Sequence, residues 1–229
     1  MSITTDAMNS KAMTLIVSLP KNDLELAKCA WENGADAIKI HINLSHHASQ
    51  TQFHSYEQEA IFIKTLLEQS PIPVGIVLGD NTMVAENALN EISKLSFDFV
   101  SLYGHHMPLA LGKNRKIKTF FAIDGSYSYD DVRQITTSEI ADILELSVLK
   151  KDEYGTRLCL RSLLMYENYV KHAFIPTLLP SQHFLVPSDI KLLNEIGIKG
   201  VMIGAIVTGT TVDSMKEAVI AFRTAIDAL

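Results

Sequence analysis

Cysteines, basic runs and long apolar runs are scarce or missing in this chain, and each scarcity removes a class of protein. Two cysteines, Cys29 and Cys159, serve 229 residues. Both fall in helix-like stretches, so a disulfide framework is excluded and buried, reduced thiols in a cytoplasmic protein are expected. Lys and Arg number 20 against 26 Asp and Glu, a net charge of −6, and no basic run occurs. Such a surface offers little to nucleic acid or to an anionic membrane, so the expected partner is a small molecule. Long apolar runs are missing too. The first, Met13 to Leu19, is too short for a signal-peptide core and stops at Pro20-Lys21-Asn22-Asp23. No later run approaches the ~20 residues that a bilayer requires.

What the chain does contain is alternation. Short β-branched runs are separated by longer amphipathic segments, the pattern of parallel strands joined by helical crossovers. Eight strands are predicted: Thr14–Leu19, Ala37–Asn43, Val74–Leu78, Phe97–Tyr103, Thr119–Asp124, Ile143–Val148, Phe174–Leu178 and Val201–Gly204. Helical spacing recurs over Asp23–Asn33 and Met215–Ala228, whereas His105–Lys116, with Pro108 and Gly112, predicts a short or absent helix. An open doubly wound sheet is the structural alternative, but no glycine-rich fingerprint follows the first strand. The expectation is a single α/β domain over residues 1–229, a (β/α)8 TIM barrel of a kind that often self-associates as a homo-oligomer.

Strands in such a barrel are buried on both faces and should read as apolar throughout, so polar residues within them carry information. The second strand alternates strictly. Ile38, Ile40 and Ile42 suit the helix side, leaving Lys39, His41 and Asn43 to point inward. By the same parity the fourth strand offers Ser101, Tyr103 and His105, the fifth Asp124, and the sixth Glu145 and Ser147. A Lys39–Glu145 pair can be a purely structural ion pair. Burying such a pair adds little net stability, however, and a desolvated amine beside a carboxylate suits proton transfer or imine formation. The segment Leu44–Tyr56 reads as a long loop holding His46, His47 and His54, and His105 and His106 follow the fourth strand. Their spacing predicts a loop that covers a ligand rather than a dedicated metal site. No cofactor is firmly implied, although Asp80 can bind Mg²⁺ together with Asp124 and Glu145, or equally cap the helix that starts near Met83.

The C-terminal part contains the pieces of a phosphate cradle. Leu179-Pro180-Ser181-Gln182 follows the seventh strand, and Gly204-Ala205-Ile206-Val207-Thr208-Gly209 follows the eighth with room for one helical turn. Thr210-Thr211-Val212-Asp213 reads as the start of the final helix, with an acidic residue near its capping threonine. With Pro187-Ser188-Asp189-Ile190, Leu193, Gly197 and Val201-Met202-Ile203-Gly204-Ala205, this segment resembles the last αβ unit of the ribulose-phosphate-binding barrel superfamily. The specific likeness covers about the last fifty residues. The superfamily's glycine turn after the seventh strand is replaced by Pro180-Ser181-Gln182, and Gly75-Ile76-Val77-Leu78 stands where its decarboxylases and epimerases carry a lysine.

The resemblance implies a small phosphorylated metabolite held by Ser181, Gln182, Gly204 and Ala205, and an isomerase, epimerase or lyase reaction. Lys39, His41, Asp124 and Glu145 are the candidate catalytic groups, with Asn43, Tyr103, His105 and Ser147 as candidate substrate contacts. A non-catalytic barrel that binds a metal or metabolite through its histidine loops is the alternative.

Overall fold

The computed structural model describes residues 3–113 and 117–229. Eight strands run parallel to their neighbours and close into a barrel. They are β1 (Thr14–Ser18), β2 (Ala37–His41), β3 (Val74–Val77), β4 (Phe99–Tyr103), β5 (Lys118–Ile123), β6 (Ile143–Leu146), β7 (Thr177–Pro180) and β8 (Gly200–Ile203). Closure is made by β1 and β8, where Thr14 pairs with Gly200 and Val17 with Ile203. The α-helices among the described residues are α1 (Ile3–Ser10), α2 (Leu24–Glu32), α3 (Tyr56–Gln69), α4 (Thr82–Ile92), α5 (Tyr129–Thr137), α6 (Leu160–His172), α7 (Asp189–Glu195), α8 (Ala205–Thr208) and α9 (Val212–Asp227).

Parity along the strands divides the core in two. Leu15, Val17, Ile38, Ile40, Leu144 and Val201 face outward into the cluster shared with the helices. Ile16, Ala37, Phe99, Phe120, Ile143, Leu178 and Met202 fill the lumen. Met8 of α1, 1% exposed, joins that inner cluster, so a helix not foreseen from the sequence plugs the barrel on the side where the strands begin. On that side Asp36 accepts from the Leu15 N–H at 2.8 Å and pairs with Arg223 at 3.1 Å and with Lys11. Asp142 likewise accepts from the Thr119 N–H and pairs with Lys118, each at 2.9 Å.

Several local expectations change. The seventh strand begins at Thr177 rather than Phe174: Pro176 has no N–H to give the ladder, and Phe174 is 64% exposed. Leu44–Tyr56 is not an irregular loop, because Leu44–His46 and Thr51–Phe53 pair as an antiparallel hairpin. Asn81, not Asp80, caps α4 by accepting from the Val84 N–H at 3.0 Å. The Thr211 cap of α9 is completed by Ser214 rather than Asp213. Cys29 is buried as expected, but Cys159 is exposed at the start of α6. Short 3₁₀ turns at Gly104–His106 and Leu111–Lys113 replace a helix after β4, and residues 114–116 of that segment lie outside the described residues. No helix among the described residues is long and apolar enough to cross a membrane.

Gly75 sits where the lumen leaves no room for a side chain. A Cβ there would stand 2.0 Å from the Phe99 ring, which stacks on Phe120 at 3.9 Å between centroids. Gly75→Ala is therefore expected to destabilise the fold by about 1–3 kcal/mol in urea unfolding. Adding Phe99→Leu should recover part of that loss, and strictly additive losses would show that the two positions do not compete for space.

Candidate functional site

The strict alternation of β2 carries Lys39 and His41 into the lumen, above the apolar layer, while Ile38 and Ile40 pack outward. Lys39 Nζ lies 3.6 Å from Glu145 Oε1, with both residues buried. Ser101 donates to Glu145 Oε2 at 2.7 Å and Ser147 to Oε1 at 3.0 Å, so each carboxylate oxygen already accepts a hydroxyl proton. Burial lowers the Lys39 pKa, and the attraction of Glu145 opposes that shift without cancelling it. The Tyr103 hydroxyl is pushed far up, first by burial and then by Tyr154 and Glu145, so it stays neutral.

The hairpin that follows β2 folds back over this pair. His46 on its first strand packs against His41 at 4.7 Å between ring centroids, and Phe53 on its second packs against His41 at 4.8 Å. The buried Nδ1 of His41 has no hydrogen-bond partner among the described residues. Burial, then His46 and Lys39, hold the His41 pKa well below the ordinary value, so its ring is neutral. His46 is lowered to about 4 by burial, Lys39 and His47, in that order. Its Nδ1 accepts the Ser49 N–H at 3.3 Å, which leaves the proton of the neutral ring on Nε2.

A cavity of about 270 Å³ opens at the C-terminal ends of the strands. Of the residues singled out from the sequence it brings together Lys39, His41, Tyr103, Glu145, Ser147, Ser181, Gln182, Gly204 and Ala205. Three others lie outside its lining. Asn43, at φ 58°, turns the chain into the hairpin and donates to the Leu78 carbonyl at 3.2 Å. Asp124 accepts from the Ser126 N–H at 2.9 Å and stands 4.0 Å from His105, so both point to the rim. Burial nudges the Asp124 pKa up, but the Ser126 bonds and His105 bring it below the ordinary value. His106, rather than His105, reaches the cavity. Tyr154 and Lys151, from the connection between β6 and α6, also line it. The sequence gives no signal for these two, because they stand in an irregular stretch without periodicity.

On the opposite wall Gly204 donates its N–H to Ser181 Oγ at 2.9 Å, tying the β7 and β8 loops together. The four-residue α8 starts there, and the first N–H groups of a helix have no partner within it. Ala205 and Ile206 supply two such groups to the cavity wall. The Gln182 side chain is engaged on both sides, accepting from the Leu149 N–H at 3.0 Å and donating to the Tyr154 hydroxyl at 2.6 Å. Among the described residues no three His, Cys, Asp or Glu side chains converge as a metal site, so Asp80, Asp124 and Glu145 do not form a shared Mg²⁺ cage.

A closed barrel of parallel strands with a cavity at its C-terminal mouth defines a (β/α)8 barrel. Solved structures sharing that fold include phosphoribosylanthranilate isomerase from Thermotoga maritima, 17% identical with a TM-score of 0.69 over 95% of this chain and 100% of that one. The tryptophan synthase α-subunit of Pyrococcus furiosus is 13% identical, with a TM-score of 0.67 over 92% and 96% of the two chains. Thiamine phosphate pyrophosphorylase, also from Pyrococcus furiosus, is 17% identical, with a TM-score of 0.62 over 95% and 97%. At these identities the likeness is one of fold, a (β/α)8 barrel. No protein-family model matches the chain, and no curated protein does.

The buried imidazoles make stability depend on pH. His46 titrates at 6.5 when unfolded and near 4 when folded, so between those values the unfolded chain binds the extra proton. His41 acts in the same direction. Stability is therefore full above pH 6.5 and falls by about 1.4 kcal/mol per unit for each such imidazole as pH drops toward 4. Urea midpoints between pH 7 and 4.5 should show this slope, reduced in His46→Asn; an unchanged slope in that variant would contradict the assignment.

Proposed function

We propose that this chain is an enzyme acting on a small phosphorylated metabolite, by proton transfer next to a carbonyl group or by carbon–carbon cleavage. The observation that carries the reading is the Lys39–Glu145 pair, buried yet lining a cavity with Ser181, Gly204 and Ala205 in another part of its wall. The metabolite's phosphate is placed on that wall, with Gln182 behind it, where Gly204 lets an oxyanion approach the backbone. Tyr103 and Ser147 line the space between the two ends. The solved phosphoribosylanthranilate isomerase complex with reduced 1-(o-carboxyphenylamino)-1-deoxyribulose 5-phosphate supports the choice of ligand class.

Burial moves Lys39 toward its neutral amine, the form that attacks a carbonyl carbon. In the proposed reaction a carbon–nitrogen bond forms as the carbonyl π pair moves to oxygen. That oxygen takes up two protons, one released by the nitrogen, and departs as water. The resulting protonated imine draws electrons from the neighbouring carbon, so that carbon can lose a proton or the bond beyond it can break. Glu145, fixed by two serine hydroxyls, balances the positive charge on nitrogen. Neutral His41, which lines the same cavity, accepts and returns the proton. Asp124 and His105 at the rim stay outside this step.

A thermal-shift screen against sugar phosphates and inorganic phosphate tests the ligand class, since a ligand specific to the folded state raises its apparent stability. Lys39→Met should abolish turnover of any phosphate ester so found while leaving its binding measurable. Borohydride added during turnover should leave a covalent adduct on Lys39 in the wild-type protein. Turnover preserved in Lys39→Met would remove the lysine from the mechanism.

A further inference from the structure

Tyr154 belongs to no element of the barrel, yet three parts of the mouth meet on it. Its ring packs edge-on against His47 of the hairpin, 5.4 Å between centroids. The neutral Tyr103 of β4 is hydrogen-bonded to its hydroxyl. From the β7 loop, the buried Gln182 donates to that hydroxyl at 2.6 Å. The orientation of the Gln182 amide is fixed on chemical grounds. A backbone N–H only donates, so the atom accepting from Leu149 at 3.0 Å must be Oε1, and the NH₂ group faces Tyr154. An NH₂ group also only donates. The phenol oxygen is therefore the acceptor in the 2.6 Å bond, and its own proton is left for the Tyr103 hydroxyl or for an oxygen in the cavity that Tyr154 lines.

We infer that Tyr154 is a specificity-determining residue, donating this proton to a hydroxyl or carbonyl oxygen of the bound metabolite, and that Gln182 is the positioning residue that aims it. The inference rests on the reading of the cavity as a site for a phosphorylated metabolite and narrows the class. The favoured ligand carries oxygens along its chain, as sugar phosphates do. Ser18 and Lys39 stand around the same space with a hydroxyl and an amine donor. A phosphate ester with a purely apolar body would leave these donors without acceptors, which weakens binding of the wrong ligand more than it strengthens the right one.

The experiment is calorimetric titration of wild type, Tyr154→Phe and Gln182→Met with inorganic phosphate and with the tightest binder from a panel of five- and six-carbon sugar phosphates. Tyr154→Phe keeps the ring against His47 and removes only the donor. It is expected to weaken the sugar phosphate about 3- to 10-fold and to leave inorganic phosphate unchanged. Gln182→Met should act in the same direction, and the double variant should be no weaker than Tyr154→Phe alone. Sugar-phosphate affinity unchanged in Tyr154→Phe overturns the inference and leaves the phosphorylated-metabolite reading standing. Equal losses for both ligands also overturn it, since the phenol would then act on the phosphate end. Wild type that binds inorganic phosphate but no member of the panel overturns the ligand class inferred here. Wild type that binds neither overturns the functional reading itself.

Discussion

The ion pair of Lys39 and Glu145 is the constraint around which the lumen is arranged. Two opposite charges removed from water regain little net energy from each other, so the pair persists only with further donors on the carboxylate and with a route from the amine toward polar space. Ser101 and Ser147 supply the donors, and the cavity supplies the route. The same requirement splits the barrel interior by height. Below the pair, aromatic and aliphatic side chains exclude water and Met8 seals the end; above it, imidazoles, phenols and hydroxyls line an open mouth.

Much of this was legible in the order of residues. The alternation of Ile38, Ile40 and Ile42 with Lys39 and His41 places a lysine and a histidine inside, because a strand's two faces are set by parity. A further regularity supports the pairing. Asp36, Asp98 and Asp142 stand at or just before the starts of β2, β4 and β6, and Lys39, Ser101 and Glu145 each follow three residues later. Alternate strands of such a barrel supply one layer of side chains, so equal distance from a common starting residue brings the three to one level. Their contacts show that they meet there.

Other features left no periodic trace. The hairpin after β2 is polar and made of two three-residue strands, with Asn43 at its entry and Gln50 in its turn at φ angles of 58° and 54°. Asp124 obeys the parity of β5 but leaves the strand at its last turn, where Ser126 captures it. Its position depends on a side-chain bond that strand alternation does not encode. Tyr154 owes its place to Gln182, 28 residues away and on a different loop, a contact that only the closed barrel creates.

The Phe99 ring has a consequence beyond packing. By filling the space in front of Gly75 it denies the third strand any inward side chain at that height. The amine that pairs with Glu145 stands one strand earlier, at Lys39, whose paired residue on β3 is that same glycine. The ring at position 99 thus closes β3 at that height, while the next strand, β2, carries a long side chain there.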